Sequence, residues 1–264
     1  MLPVISVIIP TKNSALSLPR LLASLRKQTY RNFETIVVDN NSNDATKKIA
    51  VSTGSVVDNW GPERSAQRNR GAEIARANIL LFVDSDMELT ERVLEKCILR
   101  MDDSDALCLR ESIVTGNNYW AKARAFERDS YFGSLYYEAA RCLRKDVFND
   151  IGGYDTTMTG IEDMALQAKL IERDYRIGWV DDVLLHHEEE VGFEQYLTKR
   201  MDYGRTDKQF QRKYPEHWRR LQSPLLRSKV LLRHYVRANN LSSLQYAPAL
   251  IVMRSAEFIM RRQW

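Results

Sequence analysis

The sequence predicts an α/β protein: a Rossmann-like, mostly parallel central sheet with flanking helices, followed by a C-terminal helical tail. Three observations predict it. In the first half, short β-branched runs alternate with longer stretches of helical period, the pattern of βα units on a parallel sheet. Several of those runs end in polar, carboxylate-bearing residues, as expected where a ligand site lies beyond the carboxyl ends of the strands. From Phe193 onward the β pattern gives way to helical periods interrupted by proline.

Strands are expected over residues 4–9, 33–38, 55–57, 79–83 and 106–109. After the first, Leu18, Leu21, Leu22 and Leu25 recur at i, i+3, i+4 and i+7, so one apolar stripe faces the sheet, and Pro19 suits a first helical turn. Residues 64–77 read as a second helix, entered through Gly61 and Pro62. Residues 90–101 read as a third, with Thr90 as N-cap and Glu91 in the first turn. From about Glu111 the pattern becomes aromatic and irregular, up to a glycine turn at Gly152-Gly153 and a helix over residues 162–172. Two short strands follow, 176–180 and 183–185, and the tail reads as helices broken at Pro215, Pro224 and Pro248. The chain thus divides into a body, residues 1–190, and a tail, residues 191–264.

With 264 residues, 44% of them hydrophobic, and a net charge of +4, the chain is too apolar for a disordered tail protein and too large for a disulfide miniature. Cys97, Cys108 and Cys142 are odd in number and form no C-x-x-C pair, so neither a zinc cage nor a disulfide framework is expected, and a reducing cytosol is the natural compartment. The start, MLPVISVIIP, lacks the basic region and cleavage site of a signal peptide. The longest apolar stretch, residues 246–253, falls far below the roughly 20 residues of a membrane span. The net charge conceals an asymmetry: residues 191–264 hold 15 Lys or Arg against 5 Asp or Glu, hence +10, leaving the body at −6. Such a tail asks for an anionic partner, whether nucleic acid, phospholipid or a phosphorylated substrate.

The residues beyond the strands form a coherent polar set: Pro10-Thr11-Lys12-Asn13, Asp39-Asn40-Asn41-Ser42 and Asp84-Ser85-Asp86. Two carboxylates at i and i+2 after an apolar strand can share one hard divalent cation, which usually also holds substrate phosphates. Caps for the following helix are the simpler reading, outweighed here by the further strand-end carboxylate, Asp39. No G-x-G-x-x-G, Walker loop, H-E-x-x-H or G-x-S-x-G occurs, which removes the main support for a dinucleotide oxidoreductase, a P-loop kinase, a zincin or a nucleophile-elbow hydrolase. A metal-assisted site for an anionic, nucleotide-like ligand is what survives.

The segment VISVIIPTKNSALSLPRLLASLRKQTYRNFETIVVDNNSNDAT resembles the opening of family-two glycosyltransferases. GPERSAQRNRGAEIARANILLFVDSDM resembles their A-R-N-x-G helix and D-x-D strand, and DVFNDIGGYD with GIEDMALQAKL is similar to their later G-G-[FY]-D and E-D motifs. The resemblance covers about residues 4–205 and implies an inverting enzyme with the A-type glycosyltransferase fold. It places Pro10, Thr11, Asn13 and Asp39 around the base and ribose of a nucleotide sugar, where a carboxylate at Asp39 can accept the N–H groups of a uracil or guanine. Arg68 falls near the nucleotide or its phosphates, its alternative being a helix-surface salt bridge with Glu63 or Glu73. Asp84 and Asp86, with Ser85 between them, fall on a Mg²⁺ or Mn²⁺ that bridges the diphosphate, Asp86 being the more direct ligand. Glu162 and Asp163 fall on the acceptor side with Asp163 as general base, their alternative being helix-dipole partners in a first turn. A histidine completes the metal site, and spacing back from Tyr203-Gly204-Arg205 favours His187 over His186. The acidic run Glu188, Glu189 and Glu190 departs from the family pattern.

In the tail the basic residues are interleaved with Tyr196, Tyr203, Phe210, Tyr214, Trp218 and Tyr235. Leu225, Leu226, Val230, Leu231, Leu232, Leu250, Ile251, Met253, Phe258 and Ile259 can form apolar stripes flanked by Arg227, Lys229, Arg233, Arg254, Arg261 and Arg262. That composition is shared by membrane-surface helices and nucleic-acid grooves; a peripheral association with the inner face of the cell membrane is the expectation, with no nucleic-acid partner. The alternative is a tail packed on the body or on a second copy in a homodimer. The reading is therefore a metal-dependent transferase moving a hexose from a UDP- or GDP-sugar to a hydroxyl or phosphate of a lipid or lipid-linked saccharide. A soluble acceptor and a nucleotidyltransferase of related fold are the alternatives, the latter weakened by the lack of a glycine-rich triphosphate loop after the first strand.

Overall fold

Residues 5–11 are buried throughout, because this strand lies at the middle of a sheet covered on both faces, which calls for the near-continuous apolar run ISVII. The computed structural model describes residues 2–187, 192–238 and 241–261. Their strands are β1 (Ile5–Thr11), β2 (Phe33–Asp39), β3 (Val56–Asn59), β4 (Ile79–Phe82), β5 (Met87–Leu89), β6 (Ala106–Val114), β7 (Ala140–Arg144) and β8 (Ile177–His187). They form one sheet in the order β3-β2-β1-β4-β7-β6-β8-β5. The β3-β2-β1-β4 half is parallel, as is the β6–β8 pair, while β7 runs antiparallel to β4 and β6, and β5 antiparallel to β8.

The body's helices are α1 (Leu18–Arg26), α2 (Thr46–Ser52), α3 (Arg64–Ile74), α4 (Val93–Arg100), α5 (Tyr119–Ser130), α6 (Lys145–Asp150) and α7 (Glu162–Glu172). On α1 the four leucines of the predicted stripe are buried, each contributing roughly 2 kcal/mol of apolar burial. The first turn of α3 is capped by Glu63, whose carboxylate accepts from the backbone N–H of Ser65 and Ala66 at 2.7 Å.

Five elements, α2, α5, α6, β5 and β7, stand where the sequence reading assigned none. Asn118 explains α5: its side-chain oxygen accepts from the N–H groups of Trp120 and Ala121 and nucleates the turn. Two expectations are corrected. Helix α4 begins at Val93 with Arg92 as N-cap, because Thr90 is occupied by β8, exchanging hydrogen bonds with Val183. The two predicted short strands are one strand, β8: Val180 pairs with Leu109 and Val183 with Arg110, so Asp181 and Asp182 bulge out without ending the ladder.

The tail holds α8 (Phe193–Tyr203), α9 (Asp207–Lys213), α10 (Pro215–Leu221), α11 (Pro224–Ala238) and α12 (Ala247–Arg261), with Pro215 and Pro224 each opening a helix. Helices α11 and α12 lie on α5. Phe210 and Tyr214 pack beside α7 in a cluster with Met158, Ile161, Ala165 and Ala168. The expectation that Arg227 and Arg254 flank the apolar stripes is also corrected: both turn inward and pair with Glu127 of α5. The outward faces carry Leu225, Leu232 and Val236 on α11, and Ile251, Val252, Phe258 and Ile259 on α12. Glu188, Glu189, Glu190 and Arg262 lie outside the described residues, as do the side chains of Tyr203 and Arg261. No described helix is long and apolar enough to cross a membrane, and the three cysteines are free thiols in the core.

Candidate active site

A cavity of about 690 Å³ opens at the carboxyl ends of β1 and β4, walled by both body and tail. Its rim includes Pro10, Thr11, Lys12, Asn40, Ser85 and Asp86. The register of β1 on β2 sets Thr11 beside Asp39, and the Thr11 hydroxyl donates to the Asp39 carboxylate at 3.0 Å. Asp39 has no exposed surface, and its oxygens also accept from the backbone N–H (2.8 Å) and hydroxyl (2.5 Å) of Ser42. Its carboxylate therefore organises the loop after β2 and sits behind the wall. Asn13, in the left-handed region at φ 51°, latches the same loop: its N–H donates to Ser42 Oγ at 2.8 Å and its side-chain oxygen accepts from Asn43 N–H at 2.9 Å. Gln67, which the sequence reading passed over, staples the two strand ends from α3 by donating to the carbonyls of Thr11 (2.9 Å) and Val38 (2.6 Å).

The floor is a buried ionic cluster centred on Arg68. Its guanidinium, fully buried, reaches Asp84 at 2.6 Å, Asp163 at 3.0 Å and Glu162 at 3.3 Å. The surface pairing of Arg68 with Glu63 or Glu73 does not form; Arg70 takes Glu73, and Glu63 caps α3. Two further arginines that the sequence reading did not single out complete the cluster. Arg64 pairs with Glu162 at 2.8 Å, and Arg141, on β7, with Asp84 at 3.4 Å and with Glu111. Burial works to raise the Asp84 carboxyl, but the guanidiniums of Arg68, Arg141 and Arg64 outweigh it and hold the group well below the usual carboxylate range. Burial and the neighbouring charge of Asp163 push Glu162 up, and its second oxygen accepts the Gly160 N–H at 2.6 Å. Asp163, which lines the cavity, keeps one oxygen on Arg68, while its other oxygen has Arg141 at 4.0 Å.

Asp86 differs from Asp84: its side chain is 47% exposed at the cavity wall and lies 3.1 Å from His186 Nε2. The preference for His187 does not match this geometry. The antiparallel pairing of β5 with β8 brings both histidines beside acids: His186 lies against Asp86, just before β5, while His187 Nε2 lies 3.1 Å from Glu88 within β5. Among the described residues, no three His, Cys, Asp or Glu side chains converge as a ready-made metal cage.

These features are those of the A-type glycosyltransferase fold, and solved structures of that class superpose on the chain. The mannosyltransferase PcManGT from Pyrobaculum calidifontis, in complex with GDP-Man and Mn²⁺, aligns with a TM-score of 0.66 at 17% identity over 98% of this chain and 84% of its own. S. aureus TarS 1-349 in complex with UDP-GlcNAc aligns with a TM-score of 0.59 at 20% identity over 98% and 89%. The sequence profile of glycosyl transferase family 2 matches residues 6–162, more than half of the chain. The chain belongs to that family and is a glycosyltransferase, which decides against the nucleotidyltransferase alternative. Among curated relatives, it is 27% identical over 227 residues to glycosyltransferase AglE of Haloferax volcanii, covering 77% of this chain and 73% of the relative. It is 26% identical over 223 residues to the pre-mycofactocin glycosyltransferase of Mycobacterium tuberculosis, covering 76% of this chain but 46% of that longer protein.

Proposed function

We propose that this chain transfers a hexose, with inversion, from a UDP- or GDP-linked sugar to a hydroxyl or phosphate of a lipid or lipid-linked saccharide at a membrane surface. The observation that carries the reading is a single cavity lined by the strand-end residues Asp84, Ser85 and Asp86 and also by Asp163. Donor phosphates and an acceptor oxygen can therefore be held within one enclosure, which is the requirement of a direct displacement. For an acceptor hydroxyl, its oxygen forms a bond to the anomeric carbon, the proton passes to the Asp163 oxygen not held by Arg68, and the bond to the diphosphate breaks with the electron pair leaving on the diphosphate.

Asp86 and His186 offer the oxygen and nitrogen donors that suit Mg²⁺ or Mn²⁺. Asp84, neutralised by Arg68 and Arg141, is better placed to orient the site than to donate both its oxygens. A divalent ion bound there would stabilise charge on the departing diphosphate. Arg64 and Lys12, both at the cavity wall, add positive charge on the donor side. Thr11 and Asn40 stand where a nucleoside would lie against the strand ends, with Asp39 and Asn13 holding the loop beneath it.

The membrane reading is supported by the outward faces of α11 and α12, where Leu225, Leu232, Val236, Ile251, Phe258 and Ile259 are exposed with Lys229 and Arg233 alongside. Flotation with anionic liposomes at low salt tests it; a full-length chain that stays at the bottom of the gradient removes the membrane from the account. The donor is tested by thermal shift with a panel of nucleotide sugars, with and without Mn²⁺. A metal-dependent rise for UDP- or GDP-sugars is expected by mass action, and a panel without any such rise overturns the reading.

A further inference from the structure

The cavity is electrically polarised along its length. At the donor end Glu63, Asp84, Asp86, Glu162 and Asp163 stand against Lys12 and Arg64. At the tail end the lining cations are Arg124 and Arg128 of α5, Arg200 of α8, Arg227 of α11 and Arg254 of α12, with Arg141 at the junction. The acids that face them among the described residues are Glu127, Asp207 and Glu257 on the wall and Glu111 and Glu138 behind it, Glu138 being kept protonated at neutral pH by its burial. The tail end therefore carries an excess of one positive charge, Arg141 at the junction being matched by Asp84. A phosphate ester, at about −1 to −2, matches that excess.

The guanidiniums differ in how firmly their own carboxylates hold them. Arg254 is clamped between Glu127 and Glu257, and Arg128 meets Glu111 at 2.5 Å. Arg227 lies 3.4 Å from Glu127, a carboxylate already engaged by Arg254 through two hydrogen bonds. It also donates to the Leu221 carbonyl at 3.2 Å and lies over the Tyr137 ring at 5.1 Å. An arginine stacked on a tyrosine, with its charge only partly matched and its side chain on a cavity wall, is built to receive an oxyanion.

We propose that the acceptor carries a phosphate group, received at the arginine-rich tail end of the cavity with Arg227 as its principal guanidinium. The inference rests on the transferase reading above and adds the chemical class of the acceptor. It also gives the tail a part in the site: α8, α11 and α12 supply the receiving wall from their inner faces.

Isothermal titration of n-dodecyl phosphate, below its micelle concentration, into protein saturated with the stabilising nucleoside diphosphate and Mg²⁺ tests it. Binding is expected, weakened at least tenfold in Arg227→Gln and less in Arg227→Lys, with nucleoside diphosphate affinity kept within twofold in both. Inorganic phosphate binding as tightly, with the same dependence on Arg227, assigns the group to a soluble ester; weaker binding assigns it to a lipid phosphate. Equal binding of n-dodecyl maltoside, or undiminished binding of the phosphate to Arg227→Gln, overturns the proposal. If Arg227→Gln loses nucleotide binding through misfolding, Arg227→Lys with wild-type phosphate affinity and Arg200→Gln with undiminished affinity overturn it instead. A wild-type protein that binds no nucleoside diphosphate sinks the transferase reading, a separate result.

Discussion

The guanidinium of Arg68 and the carboxylate of Asp84 meet at 2.6 Å beneath the cavity floor, where the arginine has no surface exposed. That contact joins α3 to the end of β4, and the same guanidinium extends to Asp163 and Glu162 of α7. Removing the cation leaves three carboxylates crowded with less compensation. Arg68→Met is expected to destabilise the fold by about 3–5 kcal/mol, read by urea unfolding, and Arg68→Lys to recover only part because one ammonium cannot span the three partners. An unchanged unfolding midpoint in Arg68→Met would show that the cluster does not hold the site together.

The two acids of the D-x-D pair should separate experimentally. Asp86→Ala removes a half-exposed carboxylate and should leave stability within about 0.5 kcal/mol while abolishing the Mn²⁺-dependent part of donor stabilisation. His186→Ala should weaken the same metal response and His187→Ala should spare it. A metal response lost in His187→Ala and kept in His186→Ala contradicts the placement of the two rings.

Glu138 gives a pH signature. Its carboxyl is buried with no ion pair among the described residues. Burial pushes it up to about 8, with Arg128 and Arg110 pulling it down and Glu111 pushing it further up. The raised folded pKa means that the unfolded chain ionises first, so stability falls as pH rises from the ordinary glutamate range to about 8, at about 1.4 kcal/mol per pH unit. Glu138→Gln should flatten that slope. Parallel pH–stability curves for wild type and variant would remove Glu138 as its source.

Glu127 is the anchor of the tail, holding Arg227 of α11 and Arg254 of α12 to α5. Burial opposes its ionisation, yet Arg254 and Arg227 hold its carboxyl below the usual glutamate range. A depressed carboxyl contributes stability that is present above the unfolded pKa and is lost as pH falls through the folded one. Acid should therefore loosen the tail, and Glu127→Gln should do so at neutral pH. Limited proteolysis reads it as faster cleavage between body and tail, and identical cleavage rates for wild type and variant would contradict the anchor.

The parts of this molecule that were legible in the sequence are those whose cause is local. Strand β1 is apolar on both faces because it is central, and the α1 leucines repeat at helical spacing, so both patterns lie in neighbouring residues. The strand-end acids were visible for the same reason. Strand β7 was not, because its Arg141 is stabilised by Glu111 and Asp84, partners remote in sequence that no periodicity reports. The relation of His186 to Asp86 turned on pairing with β5, a strand of three residues too short to be read. Arg227 and Arg254 looked like surface cations because the carboxylate that turns them inward lies on another helix, about a hundred residues earlier.

The central claim, that Asp163 is the base of a sugar transfer in this cavity, is tested most directly by Asp163→Asn. Donor affinity and turnover are measured together, turnover as nucleoside diphosphate released over a membrane lipid extract. The account predicts donor affinity within about twofold of wild type and turnover lowered by at least about 10²-fold, the scale of a lost general base. Turnover near the wild-type rate with donor binding intact would contradict it.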